Sequence, residues 1–242
     1  MTATKARLFV PDRLTTGDDI RLAADQAHYL RHVLRLGEGD AVALFNGRDG
    51  EFRGSIAAAG KKECRLAVAE QLRVFRPVAD IWLCFAPIRQ GRIEMIVEKA
   101  TELGVARLLP VLTRRTQMQK VNAERLAVHA REAAEQSERL DVPEVAPAVP
   151  LDALLADWPS ERRLFLCAER EAATPLLQAA QAWPAAAPCA LLVGPEGGFA
   201  PEELAMAQRQ PGVMPVTLGP GILRAETAAI AALAILQAAR QN

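Results

Sequence analysis

The chain has 242 residues, with 29 basic and 29 acidic residues, and half of its residues are apolar. These proportions are those of an ordinary globular protein and exclude a disordered, collagen-like or low-complexity chain. The longest apolar run, Ala228–Leu236, is less than half the roughly 20 residues that a membrane span needs. Residues 1–10 lack the apolar core of a secretory signal. We therefore expect a cytoplasmic protein.

The first 72 residues predict a small β-barrel with one helix. Turn signals such as Asn46-Gly-Arg-Asp-Gly50 separate short strand patterns. The helical pattern covers Asp25–Leu34, with Asp25 as a candidate N-cap. A hinge is predicted at Arg73–Pro77, which divides the chain into domains 1–72 and 73–242. The predicted strands of the first domain are Ala6–Val10, Ala41–Phe45, Phe52–Ala57 and Arg65–Ala69.

Beyond the hinge, apolar strands alternate with helical patterns, which is typical of an α/β domain whose mostly parallel sheet is covered on both faces. The predicted strands are Ile81–Phe85, Arg107–Leu112, Leu164–Cys167, Ala190–Val193 and Met214–Leu218. The predicted helices are Arg92–Leu103, Asn122–Ser137, Leu151–Ala156, Thr174–Ala182, Pro201–Gln210 and Glu226–Ala239.

The last of these helices is apolar almost all round between Ala228 and Leu236. More than one of its faces must therefore be covered, partly by this chain and partly by a second subunit. Because exposed apolar patches usually mark interfaces, we expect a homodimer buried around Ile230 and Leu233.

The distribution of charge is uneven although the net charge is zero. Residues 73–125 carry ten basic and five acidic side chains, and residues 126–242 carry eight basic and fourteen acidic ones. The middle block is either a surface for a polyanion or a solvated face with salt bridges, and charge alone does not separate the two.

The cysteines and histidines do not predict a metal site. Cys64, Cys84, Cys167 and Cys189 are widely spaced, so we interpret them as buried free thiols rather than zinc ligands or disulfide partners. His28 and His32 have helical ligand spacing, but no third ligand follows and the neighbouring arginines would repel a cation.

Two glycine–proline loops at strand ends carry the chemical signal. Gly194-Pro-Glu-Gly-Gly198 and Leu218-Gly-Pro-Gly-Ile-Leu223 each follow a strand and lead towards a helix. Loops at the carboxyl ends of parallel strands bind ligands in open α/β sheets. Because Glu196, Glu202 and Glu203 would repel a phosphate at the helix start, the pattern favours a nucleoside-like ligand without phosphates, such as S-adenosylmethionine. Two ordinary turns are the alternative.

These motifs closely resemble the signature of the RsmE-type ribosomal RNA methyltransferases of the SPOUT superfamily. Further matches are His32-Val-Leu-Arg35 with Gly37, Glu98-Lys-Ala-Thr-Glu-Leu-Gly-Val105, and Glu135-Gln-Ser-x-Arg139 with Pro143. The resemblance implies an N-terminal PUA-like, RNA-binding barrel and a SPOUT-type α/β domain with a C-terminal trefoil knot, working as a homodimer. It also implies methylation of N3 of a uridine in 16S rRNA, as naked RNA or within the small subunit, with S-adenosylmethionine as methyl donor.

Site residues follow from the loops together with the resemblance. We expect Arg224 to contact the uracil or its flanking phosphate, and Glu226 either to orient Arg224 or to accept the proton; a surface ion pair between the two is the alternative. Arg115 is expected to reach the site from the partner subunit. The expected cofactor-binding residues are Leu166, Glu169, Gly194, Pro195, Glu196, Gly197, Gly198, Leu218, Gly219, Ile222 and Leu223. The expected RNA-binding residues are Arg31, Arg35, Arg114, Arg115, Lys120 and Arg139.

The chain departs from the family pattern at two positions. Gly221 replaces the usual Arg of the second loop, which removes a positive charge there, and Glu138 replaces the usual Gly before Arg139. The alternative functions are a SPOUT ribose 2′-O-methyltransferase, a noncatalytic RNA-binding protein and a nucleotide-dependent hydrolase. The missing phosphate-loop motif disfavours the last.

Overall fold

The computed structural model describes residues 4–60, 63–168 and 173–240. The chain forms two compact units. One comprises Met1–Pro77 with Ala134–Val142, and the other comprises Val78–Ala133 with Pro143–Asn242.

The first unit contains a five-stranded sheet in the order β1-β3-β4-β5-β2. Strands β1 and β3 are parallel and the other pairs are antiparallel. Register shifts along the β4–β5 pair mark bulges, which bend a sheet. The predicted strands are present, and β2 is an additional one that sequence patterning missed. The strands are β1 (Ala6–Phe9), β2 (Asp19–Arg21), β3 (Ala41–Phe45), β4 (Glu51–Ala59) and β5 (Cys64–Arg73).

The predicted helix of this unit is short and changes type. α1 spans Ala24–His28, and a π-helical turn continues through Tyr29–Val33. The prediction that Asp25 is the N-cap was wrong, because Ala23 holds that position and Asp25 lies in the first turn. Arg35, just after the π-turn, has a φ of 57°, so the chain leaves the helix through a left-handed residue.

Residues 134–142 cluster with the first unit because buried charged groups bind them there. Arg7 donates hydrogen bonds to the carbonyls of Ala134 and Arg139, and its Nε lies 2.5 Å from Oε1 of Glu51. Burial raises the pKa of Glu51, but hydrogen bonds from Arg73 and Arg7 outweigh it, so this pKa lies below its ordinary value. The carboxylate therefore stays charged and holds both guanidinium groups.

The backbone explains the departure at Glu138. This residue has a φ of 58°, just beyond the helix that ends at Gln136. Glycine adopts that conformation without the steric penalty of a Cβ. The backbone therefore suits the family's usual glycine, and Glu138 accepts a left-handed conformation in its place.

The second unit is built on an eight-stranded parallel sheet in the order β11-β13-β10-β12-β6-β7-β8, with β9 paired to β7. The five predicted strands are confirmed, and three two-residue strands are additional. Two of them, β8 and β9, were too short to be predicted, and β11 takes the first two residues of the helix that was predicted at Thr174–Ala182. The strands are β6 (Ile81–Phe85), β7 (Arg107–Leu112), β8 (Glu144–Val145), β9 (Val149–Pro150), β10 (Arg163–Cys167), β11 (Thr174–Pro175), β12 (Cys189–Val193) and β13 (Val213–Thr217). The helices are α2 (Arg92–Glu102), α3 (Ala123–Gln136), α4 (Leu151–Ala156), α5 (Leu176–Gln181), α6 (Pro201–Gln208) and α7 (Ala225–Arg240).

Helices cover both faces of this sheet, as predicted. α7 packs against α2, α5 and β12, whereas α4 and α6 pack together with β7 and β13. Strands β10 and β12 are buried along almost their whole length, which explains their continuous apolar sequences. The trefoil knot stays a prediction.

Most of the apolar surface of α7 is covered within the chain. Leu233 has no solvent exposure, so the expectation that it lies in a dimer interface was wrong. Ile230 is half-buried, and Ala234 and Ala238 are exposed on another face of the helix. Among the described residues, no helix is long and apolar enough to cross a membrane.

Candidate functional site

Three neighbouring strands bring the predicted ligand segments to one edge of the parallel sheet. Strand β10 lies between β13 and β12, with Leu166 in register with Leu192 on one side and Pro215 on the other. The segments that follow these strands therefore begin side by side. Leu166 itself is fully buried in the core, so its side chain is not available to a ligand, contrary to expectation. Glu169 lies outside the described residues.

The three glycines of the first loop differ in conformation and surroundings. A Cβ at Gly194 would lie 2.9 Å from the buried Phe199 ring, so this glycine is required for packing. Gly198 has a φ of 67°, and its N–H donates to the Pro195 carbonyl to close a turn. A Cβ at Gly197 would meet only Arg115, at an ordinary 3.5 Å. Among the described residues, only that side chain lies near the position that a Cβ on Gly197 would take.

Arg115 lies at this loop within its own chain. Its Nη1 donates to the Gly197 carbonyl of the same chain at 2.8 Å. A contribution of Arg115 to the site of a partner subunit stays a prediction. The turn that carries Arg115 is closed by Thr113 and Thr116, whose hydroxyls are 2.9 Å apart. The basic segment after β7 therefore contributes a positive charge directly beside the glycine loop.

Glu203 joins this basic segment to the start of α6. One carboxylate oxygen accepts the Arg114 backbone N–H and the other accepts the Ala200 backbone N–H, each at 2.8 Å. The second bond is the N3 half of a capping box. Glu203 is 5% exposed, whereas Glu202 is largely exposed and pairs with the Arg114 side chain at 3.2 Å. The two glutamates therefore differ in role, which their sequence does not reveal.

Glu203→Ala is expected to lower the free energy of unfolding by about 2 kcal/mol or more, because it leaves two N–H groups near the protein interior without acceptors. Glu202→Ala is the matched control and should change it by less than about 0.5 kcal/mol, as for an exposed ion pair. Urea denaturation of both variants measures the difference. Equal midpoints for the two would contradict the anchoring role of Glu203.

Glu203 also lines a cavity of about 400 Å³. It is not lined by any of the predicted cofactor-binding residues. Its lining residues are Leu112, Arg114, Pro150, Leu151, Asp152, Glu202, Glu203 and Met206.

The second loop, residues 218–223, is open to solvent. Gly219 has a φ of 131°. The Thr217 hydroxyl donates to the Gly219 carbonyl and accepts the Gly219 N–H. Ile222 is 69% exposed, an unusual position for a large apolar side chain. Gly221 has no positive φ, and a Cβ added to it would meet no atom within 4 Å, so the backbone would accept the arginine that is usual in the family.

Arg224 and Glu226 do not form the ion pair that was weighed as an alternative. The Arg224 side chain is exposed and has no hydrogen bond or ion pair with any residue that the structure describes. Oε1 of Glu226 instead lies 3.4 Å from Nη1 of Arg92. Arg92 was missed by sequence reasoning. Its signal was a cation in the first turn of a helix, where the helix dipole disfavours positive charge.

The predicted RNA-contacting residues differ in accessibility. Arg35, Arg114 and Lys120 are exposed, and Arg31 is half-buried and donates to the Gly60 carbonyl at 2.8 Å. Arg139 is only 9% exposed and pairs with Asp141 at 2.9 Å. Arg139 therefore has a structural role, and its burial and pairing contradict a direct contact with RNA.

The cysteines are buried and free, as interpreted from their spacing. Burial raises the pKa of the Cys84 thiol to about 12 and that of Cys189 to about 11, so both are unreactive thiols at neutral pH. Within the described ranges, no group of three or more His, Cys, Asp or Glu residues could hold a metal ion.

Comparison with known proteins identifies the family. Residues 76–237 match the model of the RNA methyltransferase domain, and residues 22–69 match that of the RNA methyltransferase PUA domain. The chain is 36% identical to ribosomal RNA small subunit methyltransferase E of Rickettsia conorii, over 94% of this chain and 93% of the relative. It is 33% identical to the protein of the same name from Synechocystis, over 96% of this chain and 77% of the relative.

Solved structures agree with this assignment. A Legionella pneumophila methyltransferase in complex with bound S-adenosylmethionine is 33% identical, with a TM-score of 0.87 over 98% of both chains. Ribosomal RNA small subunit methyltransferase E of Neisseria gonorrhoeae, bound to S-adenosylmethionine, is 27% identical, with a TM-score of 0.86 over 96% of this chain and 97% of the other. The chain therefore belongs to the RNA methyltransferase family that includes the ribosomal RNA small subunit methyltransferase E proteins, with an N-terminal PUA-like domain and an α/β methyltransferase domain.

Proposed function

We propose that this protein methylates N3 of a uridine in 16S rRNA, using S-adenosylmethionine. The observation that carries the proposal is the match over nearly the whole chain to relatives named ribosomal RNA small subunit methyltransferase E. The solved relatives with bound S-adenosylmethionine support the choice of cofactor. A 16S rRNA substrate would place the protein in the cytoplasm.

The loops after β12 and β13 fit this cofactor. Among the described residues, only Arg115 lies within 4 Å of the position that a Cβ on Gly197 would take, so a ligand can approach this side of the loop. Glu196 is an exposed carboxylate that suits hydroxyls or an ammonium group, and the exposed Ile222 suits the face of an adenine ring. When bound, the cofactor supplies a transferable methyl group on a sulfonium. The residues that would hold it are Gly194–Gly198 together with Leu218, Gly219, Ile222 and Leu223.

Arg224 and Glu226 would act on the nucleobase. Methylation of N3 requires that the imide proton leave, while negative charge develops on the two uracil carbonyls. Arg224 offers a planar set of donors for such an oxygen or for a flanking phosphate, and it has no competing partner among the described residues. Glu226 is a carboxylate within two residues of it and is the candidate proton acceptor.

RNA would be bound by exposed cations together with the half-buried Arg31. Arg31 and Arg35 belong to the PUA-like domain, and Arg114, Arg115 and Lys120 belong to the net-positive block 73–125. Such cations bind phosphates regardless of sequence and make affinity dependent on salt. Arg139 is left out of this set because it is buried and paired with Asp141.

The test is transfer of a labelled methyl group to unmodified small ribosomal subunits and to naked 16S rRNA, followed by nucleoside analysis. We expect 3-methyluridine as the product. A product that resists alkaline cleavage of the neighbouring phosphodiester would indicate ribose 2′-O-methylation instead. A folded protein that binds RNA but not S-adenosylmethionine would indicate a noncatalytic RNA-binding function.

We also propose that the protein is a homodimer built on the solvent-facing side of α7. The half-buried Ile230 lies near the exposed Ala234 on this helix. Both residues are apolar, and the small Ala234 would let a second helix approach closely. Continuity with the loop before α7 would bring the partner close to Arg224.

Ile230→Asp is expected to convert dimers to monomers without unfolding, because it introduces a charge into the proposed interface while the core of α7 stays intact. Light scattering at micromolar concentration measures the mass. Val128→Asp is the matched control, since Val128 is an apolar side chain with 40% exposure on α3, outside the proposed interface. A wild-type monomer, or dissociation by both variants alike, would contradict the proposed interface.

A further inference from the structure

His28 and His32 form a pair of exposed rings in the first unit. Their ring centroids are 4.7 Å apart and the ring planes are inclined by 31°, so the two imidazoles stack on each other. Both side chains are exposed, and neither has a hydrogen bond or ion pair with a residue that the structure describes. Because the described residues include no group of three or more metal ligands, the pair is not a metal site either.

No other ring side chain among the described residues is exposed. The sequence has 3 Trp, 1 Tyr, 7 Phe and 3 His, and all of them lie in the described ranges. Apart from His28 and His32, each of these side chains is buried or half-buried. The chain therefore presents exposed rings at one place only, and there it presents two of them in contact.

A π-helical turn at Tyr29–Val33 fixes the position of the pair. The fully buried Leu30 packs this turn against the core of the first unit. His32 and Val33 follow His28 by four and five residues, so all three lie on one side of a turn with i→i+5 hydrogen bonds. Val33 is 59% exposed, which extends the exposed apolar surface beside the rings. Turns of this kind are frequent at functional sites.

Two cations accompany the rings. Arg31 is half-buried and donates to the Gly60 carbonyl at 2.8 Å, and Arg35 is exposed and follows the turn in a left-handed conformation. Residues 28–35 include no acidic side chain. Rings beside cations match a polyanion whose units each have a flat face, which is the chemistry of single-stranded nucleic acid.

We infer that His28, His32 and Val33 form a binding site for an unpaired base of the rRNA, which stacks on the exposed face of the imidazole pair. Arg31 and Arg35 bind the phosphates beside that base. The inference rests on the proposed function, because it takes the rRNA substrate as the ligand. It adds a contact with a base, whereas cations alone bind phosphates regardless of sequence.

The experiment compares two double variants of the full chain that separate the rings from their polar atoms. His28→Gln/His32→Gln removes the rings and keeps hydrogen-bonding groups, whereas His28→Phe/His32→Phe keeps rings and removes those groups. Affinity is measured for unmodified small subunits and for a single-stranded uridine oligonucleotide, each at several salt concentrations. Thermal unfolding verifies that each variant folds, and His28→Tyr/His32→Tyr replaces the Phe variant if that one aggregates.

We expect the Gln variant to bind both ligands about 10-fold more weakly, which lies within the range for loss of one stacked base. The Phe variant should bind within about twofold of the wild type, because it keeps the stacking surface. The salt dependence of affinity should not change in the Gln variant, since no phosphate contact is lost. Arg35→Gly, which suits the left-handed backbone, should instead reduce that dependence.

Methyl transfer to unmodified small subunits by the wild type is measured alongside, and its absence would overturn the proposed function itself. With an active wild type, unchanged affinity of the folded Gln variant would overturn the base-binding site. Weaker binding of the Gln variant to small subunits alone would indicate a ribosomal protein as the partner. Equal weakening by the Gln and Phe variants would indicate hydrogen bonds from the imidazoles instead of stacking. Either of these last two results also overturns the inference.

Discussion

Gly197→Val should lose at least about 100-fold in affinity for S-adenosylmethionine, equivalent to about 2.7 kcal/mol, and still fold. The fold tolerates a side chain here because Gly197 lacks a positive φ, and a Cβ would meet only the flexible Arg115 side chain at 3.5 Å. The proposed ligand does not tolerate it, because the branched side chain would occupy the surface on which the cofactor meets the loop backbone. Calorimetry with the purified variant measures the affinity, and thermal unfolding verifies the fold.

The control is the same substitution in the other unit. Gly37 also has an ordinary φ, and a Cβ added there would have no atom within 4 Å. Gly37→Val should therefore fold and bind S-adenosylmethionine as the wild type does. Unchanged affinity in a folded Gly197→Val protein would remove the first glycine loop from the cofactor site, whatever the family resemblance implies.

The alternation of strands and helices in the second unit was predictable, because the local sequence pattern determines each of these elements. Ile81–Phe85 and Arg107–Leu112 coincide with β6 and β7, since a strand buried on both faces must be apolar throughout. The edge strands β8 and β9 were missed for the opposite reason. Each has only two residues, which is too short for any periodicity.

Side-chain roles were less predictable because they depend on partners far along the chain. Glu203 binds the backbone at Arg114, and Glu226 binds Arg92, each across a separation that no local pattern records. The sequence alone therefore presents Glu203 as one of two charges at a helix start, although it is a buried anchor. The motif residue Arg139 fails as an RNA contact for another reason: its partner Asp141 is only two residues away, but its burial shows only in the folded chain.

Gly221 and Glu138 both depart from the family pattern, and their backbone conformations differ. Glu138 occupies a left-handed position at the end of α3, so the family's usual glycine there has a conformational reason. Gly221 occupies an ordinary conformation with open space around it, so the family's usual arginine has no conformational obstacle. The loss of that arginine leaves Arg224 as the only cation between Gly219 and Ala229.

Arg224→Ala is therefore expected to lose single-turnover methyl transfer by about 10² to 10³-fold and to keep cofactor affinity. A donor aimed at developing charge contributes on this order, and no neighbouring arginine can substitute in this loop. The fold should not change, because the side chain is exposed and unpaired in the described chain, and only the backbone carbonyl of Arg224 serves α7, by accepting the Ala228 N–H at 2.8 Å.

Lys120→Ala separates contact with the nucleobase from general attraction to RNA. Lys120 is an exposed cation of the basic block, and its loss should weaken RNA binding and reduce the salt dependence of affinity. At saturating small subunits its single-turnover rate should equal that of the wild type, whereas Arg224→Ala should stay slow. If Arg224→Ala instead loses cofactor affinity in parallel with the rate, Arg224 binds the cofactor, and the uridine must be oriented by another group.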